Sequence, residues 1–218
     1  ALVREVRGRE ILDAALARGR GVIVVAPHLG AWELSGLYMG SIAPMTAMYR
    51  PPRIREMESF YCSARQRLGN RLVPADSSGV RALIRTLRAG GCAGILPDQD
   101  PGKGSGIFVP FFGVPANTTT LVAKLLNSTR AALVLMWSER LPRGEGFCFH
   151  VVEPRDAALG SNDVEAATRA LNREIERLVR SAPAHYLWSY RRFRYRPPGL
   201  KNPYRHGVSE STVGARST

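Results

Sequence analysis

The 218-residue sequence has few cysteines, too few acids to balance its bases, and no long apolar run. Its three cysteines, Cys62, Cys92 and Cys148, are odd in number and show no CxxC spacing, which speaks against a disulfide framework and against a zinc site. A reducing compartment is the simpler expectation. No stretch of 18 or more apolar residues occurs, so a bilayer-spanning helix is not expected, and no charged-apolar-small leader opens the sequence. No internal repeat is visible. Eighteen Asp and Glu stand against 31 Lys and Arg, leaving +13. That surplus favours an acidic partner: anionic lipid headgroups, phosphates, an acidic carrier protein or nucleic acid. With 44% hydrophobic residues, what remains is a globular composition long enough for one full core.

Apolar and polar periodicity alternates between strand and helix. Val6–Arg18 is predicted as a helix, Gly21–Ala26 (GVIVVA) as a short buried strand, and a further helix should begin near Trp32. Met45–Tyr49 reads as a strand, Arg53–Leu68 as a charged helix, Ser78–Ala89 as a helix and Cys92–Leu96 as a strand. Leu121–Leu126 reads as helix, Ala131–Ser138 and Phe147–Val152 as strands, and Asn162–Ser181 as a long helix with Val164, Ala167, Leu171, Ile175 and Leu178 on one face. The expected class is α/β, a mainly parallel central sheet flanked by helices, with antiparallel pairing between the two late strands. Residues 1–200 should form the folded domain and 201–218 a flexible tail.

The chemistry gathers at predicted strand ends. In Pro27-His28-Leu29-Gly30-Ala31-Trp32-Glu33, an imidazole ends an apolar strand and a carboxylate follows five residues later, the layout of a base and its orienter. His28 would sit at the sheet's carboxyl edge, where open α/β sheets bind ligands. Asp98-Gln99-Asp100-Pro101-Gly102-Lys103 follows another short strand at the same edge, so the two loops should share a pocket. Two carboxylates without a third make a weak metal set, and none is expected. Arg50, after the second strand, could grip a phosphate or carboxylate through paired donors. Val109 to Ala116 is apolar but too rich in Pro and Gly for a regular strand, so Phe111 and Phe112, with Trp32, could wall an acyl groove, or the segment is simply core. Between Tyr186 and Arg196 aromatic rings interleave with arginines, and Trp188, Arg191, Arg192 and Arg194 suit an anionic membrane boundary. Stacking on single-stranded nucleic acid would use the same residue types.

Taken in order, His28-Leu29-Gly30-Ala31-Trp32-Glu33, Tyr49-Arg50-Pro51, Asp98-Gln99-Asp100, Val109-Pro110-Phe111-Phe112-Gly113 and Trp188 with Arg191-Arg192-Phe193 resemble the late acyltransferases of lipid A biosynthesis, within the wider lysophospholipid acyltransferase group. The resemblance implies a glycerolipid-acyltransferase-like fold and a His-x4-Glu pair, His28 and Glu33, that moves an acyl chain from an acyl carrier protein thioester to a hydroxyl of a lipid A precursor. His28 would be the general base, with Glu33 holding its tautomer. Arg50, Asp98, Gln99, Asp100 and Lys103 would contact substrate. It further implies work at the cytoplasmic face of the bacterial inner membrane, with no cofactor and no nucleic acid. Members usually open with a membrane-anchoring segment and further helical sequence, which this sequence does not contain, so either a truncated piece of a longer protein or a shortened relative is expected. Alternatives are a glycerophospholipid, other glycolipid or amino-lipid acceptor, a coenzyme A donor, a covalent route through Cys62 or Cys92, and a non-enzymatic basic binder of anionic lipid or nucleic acid.

Overall fold

A computed structural model of the protein describes residues 2–49 and 54–204. Seven strands form one sheet: β1 (Val3–Arg7), β2 (Val22–Val25), β3 (Met45–Tyr49), β4 (Arg71–Pro74), β5 (Cys92–Ile95), β8 (Ala132–Arg140) and β9 (Phe147–Val152), in the order β1-β9-β8-β2-β5-β3-β4. Every neighbouring pair is parallel except β8 with β9. The helices are α1 (Arg9–Ala17), α2 (Trp32–Ile42), α3 (Glu58–Gln66), α4 (Ser77–Arg88), α5 (Leu121–Thr129) and α6 (Val164–Ser181). The architecture is therefore the expected mainly parallel α/β sheet.

Central strands β2 and β5 are buried along their whole length, because helices cover both faces and leave no solvent side for polar residues. On one face Ile23, Val25, Ile95 and Leu135 pack with Leu83 and Leu87 of α4, Leu125 of α5 and Leu171 and Ile175 of α6. On the other, Val22, Val24, Val134 and Met136 meet Leu12 of α1 and Met39 of α2. The stripe expected on α6 faces the core, and Asp163 caps the helix by accepting from the N–H groups of Glu165 and Ala166.

Two expectations are corrected, and one strand was not anticipated. Val6 lies in edge strand β1, because Gly8, at φ 73°, separates that strand from the helix. Arg71–Pro74 is the unanticipated strand, β4, whose single buried residue, Val73, leaves no apolar run to mark it. Residues 107–118 do form regular strands, β6 (Ile107–Phe111) and β7 (Val114–Thr118), paired antiparallel outside the main sheet. Their two-residue turn places Phe112 at φ 49° and Gly113 at φ 76°, the left-handed pair such hairpins use. Pro110 faces Pro115. That site is a non-hydrogen-bonded position, two pairs from the turn, so the missing N–H groups cost no ladder bond. Residues 205–218 of the expected tail lie outside the described residues.

Candidate active site

At the end of β2, the Ala26 N–H still donates to the Ile95 carbonyl, after which the chain leaves the sheet. The departing loop is tied on both sides. Gly30 N–H donates to the His185 carbonyl, Ala31 N–H to the Ser138 carbonyl and Leu187 N–H to the His28 carbonyl. Gly30 sits at φ 64°, and a Cβ there would fall on the Ser138 carbonyl oxygen. Glycine is required twice over, for the left-handed backbone and for the close approach. These ties fix where the His28 ring emerges.

That ring meets Asp98, which follows the neighbouring parallel strand β5. His28 Nδ1 lies 2.9 Å from Asp98 Oδ1, and the His28 backbone N–H donates to Oδ2, also at 2.9 Å. An ionised carboxylate only accepts, so Nδ1 carries the proton and Nε2 presents a lone pair. Gln99 occupies that lone pair, its Nε2 donating at 3.0 Å. Asp98 is almost wholly buried. Beneath it lies a polar group held in the interior: Tyr186, whose phenol burial and the Asp98 carboxylate push far above the tyrosine range, and Arg192. Only 4% exposed, Arg192 donates to the Asn117 carbonyl (2.6 Å) and Thr118 Oγ1 (2.7 Å), with its guanidinium 5.5 Å from the Phe111 ring centroid. Burial draws its pKa down, against the opposing influence of Tyr186, Asp98 and Asp100. Arg192 is thus an internal cation, and its expected place at a membrane boundary is corrected. Its guanidinium is taken up by the Asn117 carbonyl and the Thr118 hydroxyl inside the protein and is not offered to a headgroup layer.

Glu33 does not hold the imidazole. It stands at the start of α2 and pairs with Arg65 of α3 through two bonds, Oε1 to Nη2 at 2.6 Å and Oε2 to Nε at 3.1 Å. The hydrogen bond to Glu33 raises the Arg65 pKa. The turn at Gly30 directs Glu33 along the outer side of the new helix, while Asp98, one strand over, reaches Nδ1. Trp32 connects the two pairs: its ring centroid is 4.8 Å from that of His28, and the Arg65 guanidinium stands 5.9 Å from the Trp32 ring.

A cavity of about 600 Å³ opens in front of His28. Trp32, Glu33, Arg65, Gln99 and Asp100 line it beside the ring, and Val24, Met39, Met45 and Gly94 continue it between α2 and the sheet. Ser35 contributes a buried hydroxyl with no partner, and Gly36 leaves open space in the helix face. Of the expected substrate contacts, Gln99 and Asp100 are at the cavity, although Asp100 Oδ1 already accepts from Gly102 N–H and Asn117 Nδ2. Lys103 is exposed on the loop beyond it, and Arg50 lies outside the described residues. Phe111 is corrected: it is buried in the core, packed on Phe112, Tyr186 and Phe193. Phe112 sits at the hairpin turn near Trp188 and Arg180, away from the cavity lining. Trp188, Arg191 and Arg194 are exposed. Sequence reading did not single out Arg65, Gly36 or Met45; the run of small residues Ser35, Gly36 and Gly40 in α2 is the signal that could have pointed to a passage along that helix.

Elsewhere, Glu139, Cys148 and His150 converge with their ligand atoms within 4.8 Å of one another. The group is satisfied internally. His150 Nε2 meets Glu139 at 3.0 Å, the Cys148 thiol donates to Glu5 at 3.7 Å, and Arg7 supplies the positive charge at 2.9 Å from Glu5.

The sequence profile of the bacterial lipid A biosynthesis acyltransferases matches residues 3–195. The lipid A biosynthesis lauroyltransferase of Escherichia coli K12 is 30% identical over 204 residues, covering 92% of this chain and 65% of that protein. Its palmitoleoyltransferase is 31% identical over 201 residues (92% and 64%), and its myristoyltransferase 28% over 200 (91% and 61%). The chain spans a little under two thirds of the length of these relatives. Among solved structures, the 1-acyl-sn-glycerophosphate acyltransferase of Thermotoga maritima aligns with a TM-score of 0.49 at 18% identity, covering 84% of this chain and 72% of that one. With the profile running from β1 to the segment that carries Arg192, this chain belongs to the bacterial lipid A biosynthesis acyltransferase family.

Proposed function

We propose that the protein transfers a fatty acyl chain from an acyl carrier protein thioester to a hydroxyl of a lipid A precursor at the cytoplasmic face of the inner membrane. Family membership supports the reaction class. The observation that carries the reading is the His28 and Asp98 pair, with Nε2 turned to the mouth of an apolar cavity. In this reading the acceptor hydroxyl displaces the Gln99 amide from Nε2. His28 takes the hydroxyl proton as the oxygen attacks the thioester carbonyl, and Asp98 stabilises the imidazolium that forms. The tetrahedral intermediate then breaks its C–S bond, and the departing thiolate receives the same proton from Nε2. The ester and free thiol are released, and the base returns to its starting form.

The cavity between α2 and the sheet suits the acyl tail, since its deeper lining is Val24, Met39, Met45 and Gly94. Glu33 acts through Arg65, which it fixes at the mouth where an anionic substrate group would arrive. His28→Ala and Asp98→Asn, assayed for ester formation on a lipid A precursor and on lysophosphatidic acid with one acyl carrier protein donor, test the reading. Each variant should lose about 10²- to 10⁴-fold in kcat, the usual contribution of a positioned base and its orienter. Near-normal turnover by His28→Ala would remove the mechanism, and preference for lysophosphatidic acid would replace the acceptor.

A further inference from the structure

Helix α3 and the turn before it are built inside out. Glu58, Cys62 and Arg65, spaced at helical intervals, turn inward and are half-buried, and no residue of the helix is fully buried. Its attachments are polar: Tyr49 Oη donates to Glu58 at 2.9 Å, Arg65 pairs with Glu33, and Asn70 Nδ2 donates to the Arg65 carbonyl at 3.2 Å. The large apolar side chains point away from the protein. Ile54 and Phe60 are each 63% exposed, and Met57, Tyr61 and Leu68 are exposed beside them. A surface helix in water normally shows the opposite polarity.

We infer that this outer face, Ile54, Met57, Phe60 and Tyr61, is the surface by which the protein lies in an anionic lipid leaflet, feeding a membrane-borne substrate to the cavity beside it. The inference rests on the proposed function for the nature of that substrate. Three observations choose a leaflet as the occupant. The patch adjoins the cavity mouth, because the ring of Tyr61 lies 5.9 Å from the guanidinium of Arg65, which lines that mouth, so a lipid reaching His28 along it has a short path. Exposed Arg67 and Arg71 flank the helix's carboxyl end, and the whole chain carries +13, a charge that complements anionic headgroups. The patch is also small: a nine-residue helix is about 14 Å long. A stable interface between proteins needs about 800 Å² per partner, whereas an interfacial helix needs only shallow insertion of its apolar face.

The test is flotation with vesicles of phosphatidylglycerol and phosphatidylethanolamine, comparing the parent protein, an Ile54→Asp/Phe60→Asp variant and Phe108→Asp, an exposed aromatic on the separate hairpin. The α3 variant should partition at least tenfold more weakly, with Phe108→Asp like the parent and all three melting alike. In parallel, Phe60→Trp should shift its added fluorescence to the blue on vesicles, which checks the surface even where the double variant folds poorly. Equal partitioning of all forms, no blue shift, or a concentration-dependent dimer dissolved by the two aspartates would overturn the inference. Thioester turnover by the parent with detergent-dispersed acceptor is read separately. Its absence would count against the proposed function, whereas the flotation result decides the surface.

Discussion

At the scale of single residues, the two carboxylates near His28 divide their duties. Asp98 is buried and takes Nδ1; Glu33 is half in solvent and takes Arg65. Only the first can fix a tautomer, because a hydrogen bond to Nδ1 decides which nitrogen is left to accept a proton. The second sets a cation at the entrance. Glu33 and Arg65 should therefore behave as one unit: Glu33→Gln and Arg65→Met each lower kcat/KM, and the double variant loses no more than the worse single one. A double-mutant cycle on acyl transfer measures this, and simple additivity of the two losses would show that Glu33 acts independently of Arg65. The His28 motif was legible in the sequence because histidine after an apolar run and before Gly-Ala-Trp stands out. Its true partner was hidden, since Asp98 lies 70 residues away and reaches the ring only through the adjacency of two parallel strands.

Among elements, the sheet was the most readable part. The predicted limits of Met45–Tyr49 and Phe147–Val152 coincide with β3 and β9, where runs of branched, aromatic and sulfur-bearing residues are cleanly bounded. The hairpin was misread because Pro and Gly content says nothing about register, and register decides whether a proline costs a bond. Helix α2 bears the most direct consequence for substrate choice. A Cβ at Gly36 would meet only Met45 Cε, at 3.9 Å, so a larger side chain there enters the cavity rather than the protein. Gly36→Leu should shift donor preference toward shorter acyl thioesters, while helix propensity gains up to about 1 kcal/mol. Competition between thioesters of several lengths, read by mass spectrometry alongside a denaturation curve, checks both halves. An unchanged length profile would place the acyl tail elsewhere.

For the molecule as a whole, the site is closed by parts of the chain far apart in sequence. His28, Asp98, Asn117 and Thr118 are joined through the later segment that carries Tyr186 and Arg192, so a stretch far along the sequence completes the base of the loop after β2. Arg192→Met removes the buried cation that donates to the Asn117 carbonyl and Thr118 Oγ1, and stability should fall by about 3 kcal/mol, the scale of buried hydrogen bonds made by a charged group. Urea unfolding measures it, and a loss under about 1 kcal/mol would show that the interior does not need this cation. The opposed prolines of the hairpin have a further effect at this scale. A ribbon of two strands has two free margins, each a template on which a neighbouring chain can extend. At positions 110 and 115 there is no amide hydrogen to offer, and the outward carbonyls are already taken, by Asn172 at 2.8 Å and Arg196 at 2.9 Å. Self-association by edge growth is thereby blocked near the turn of the ribbon, whose outward groups are spent on α6 and on the segment that carries Arg192 and Arg196.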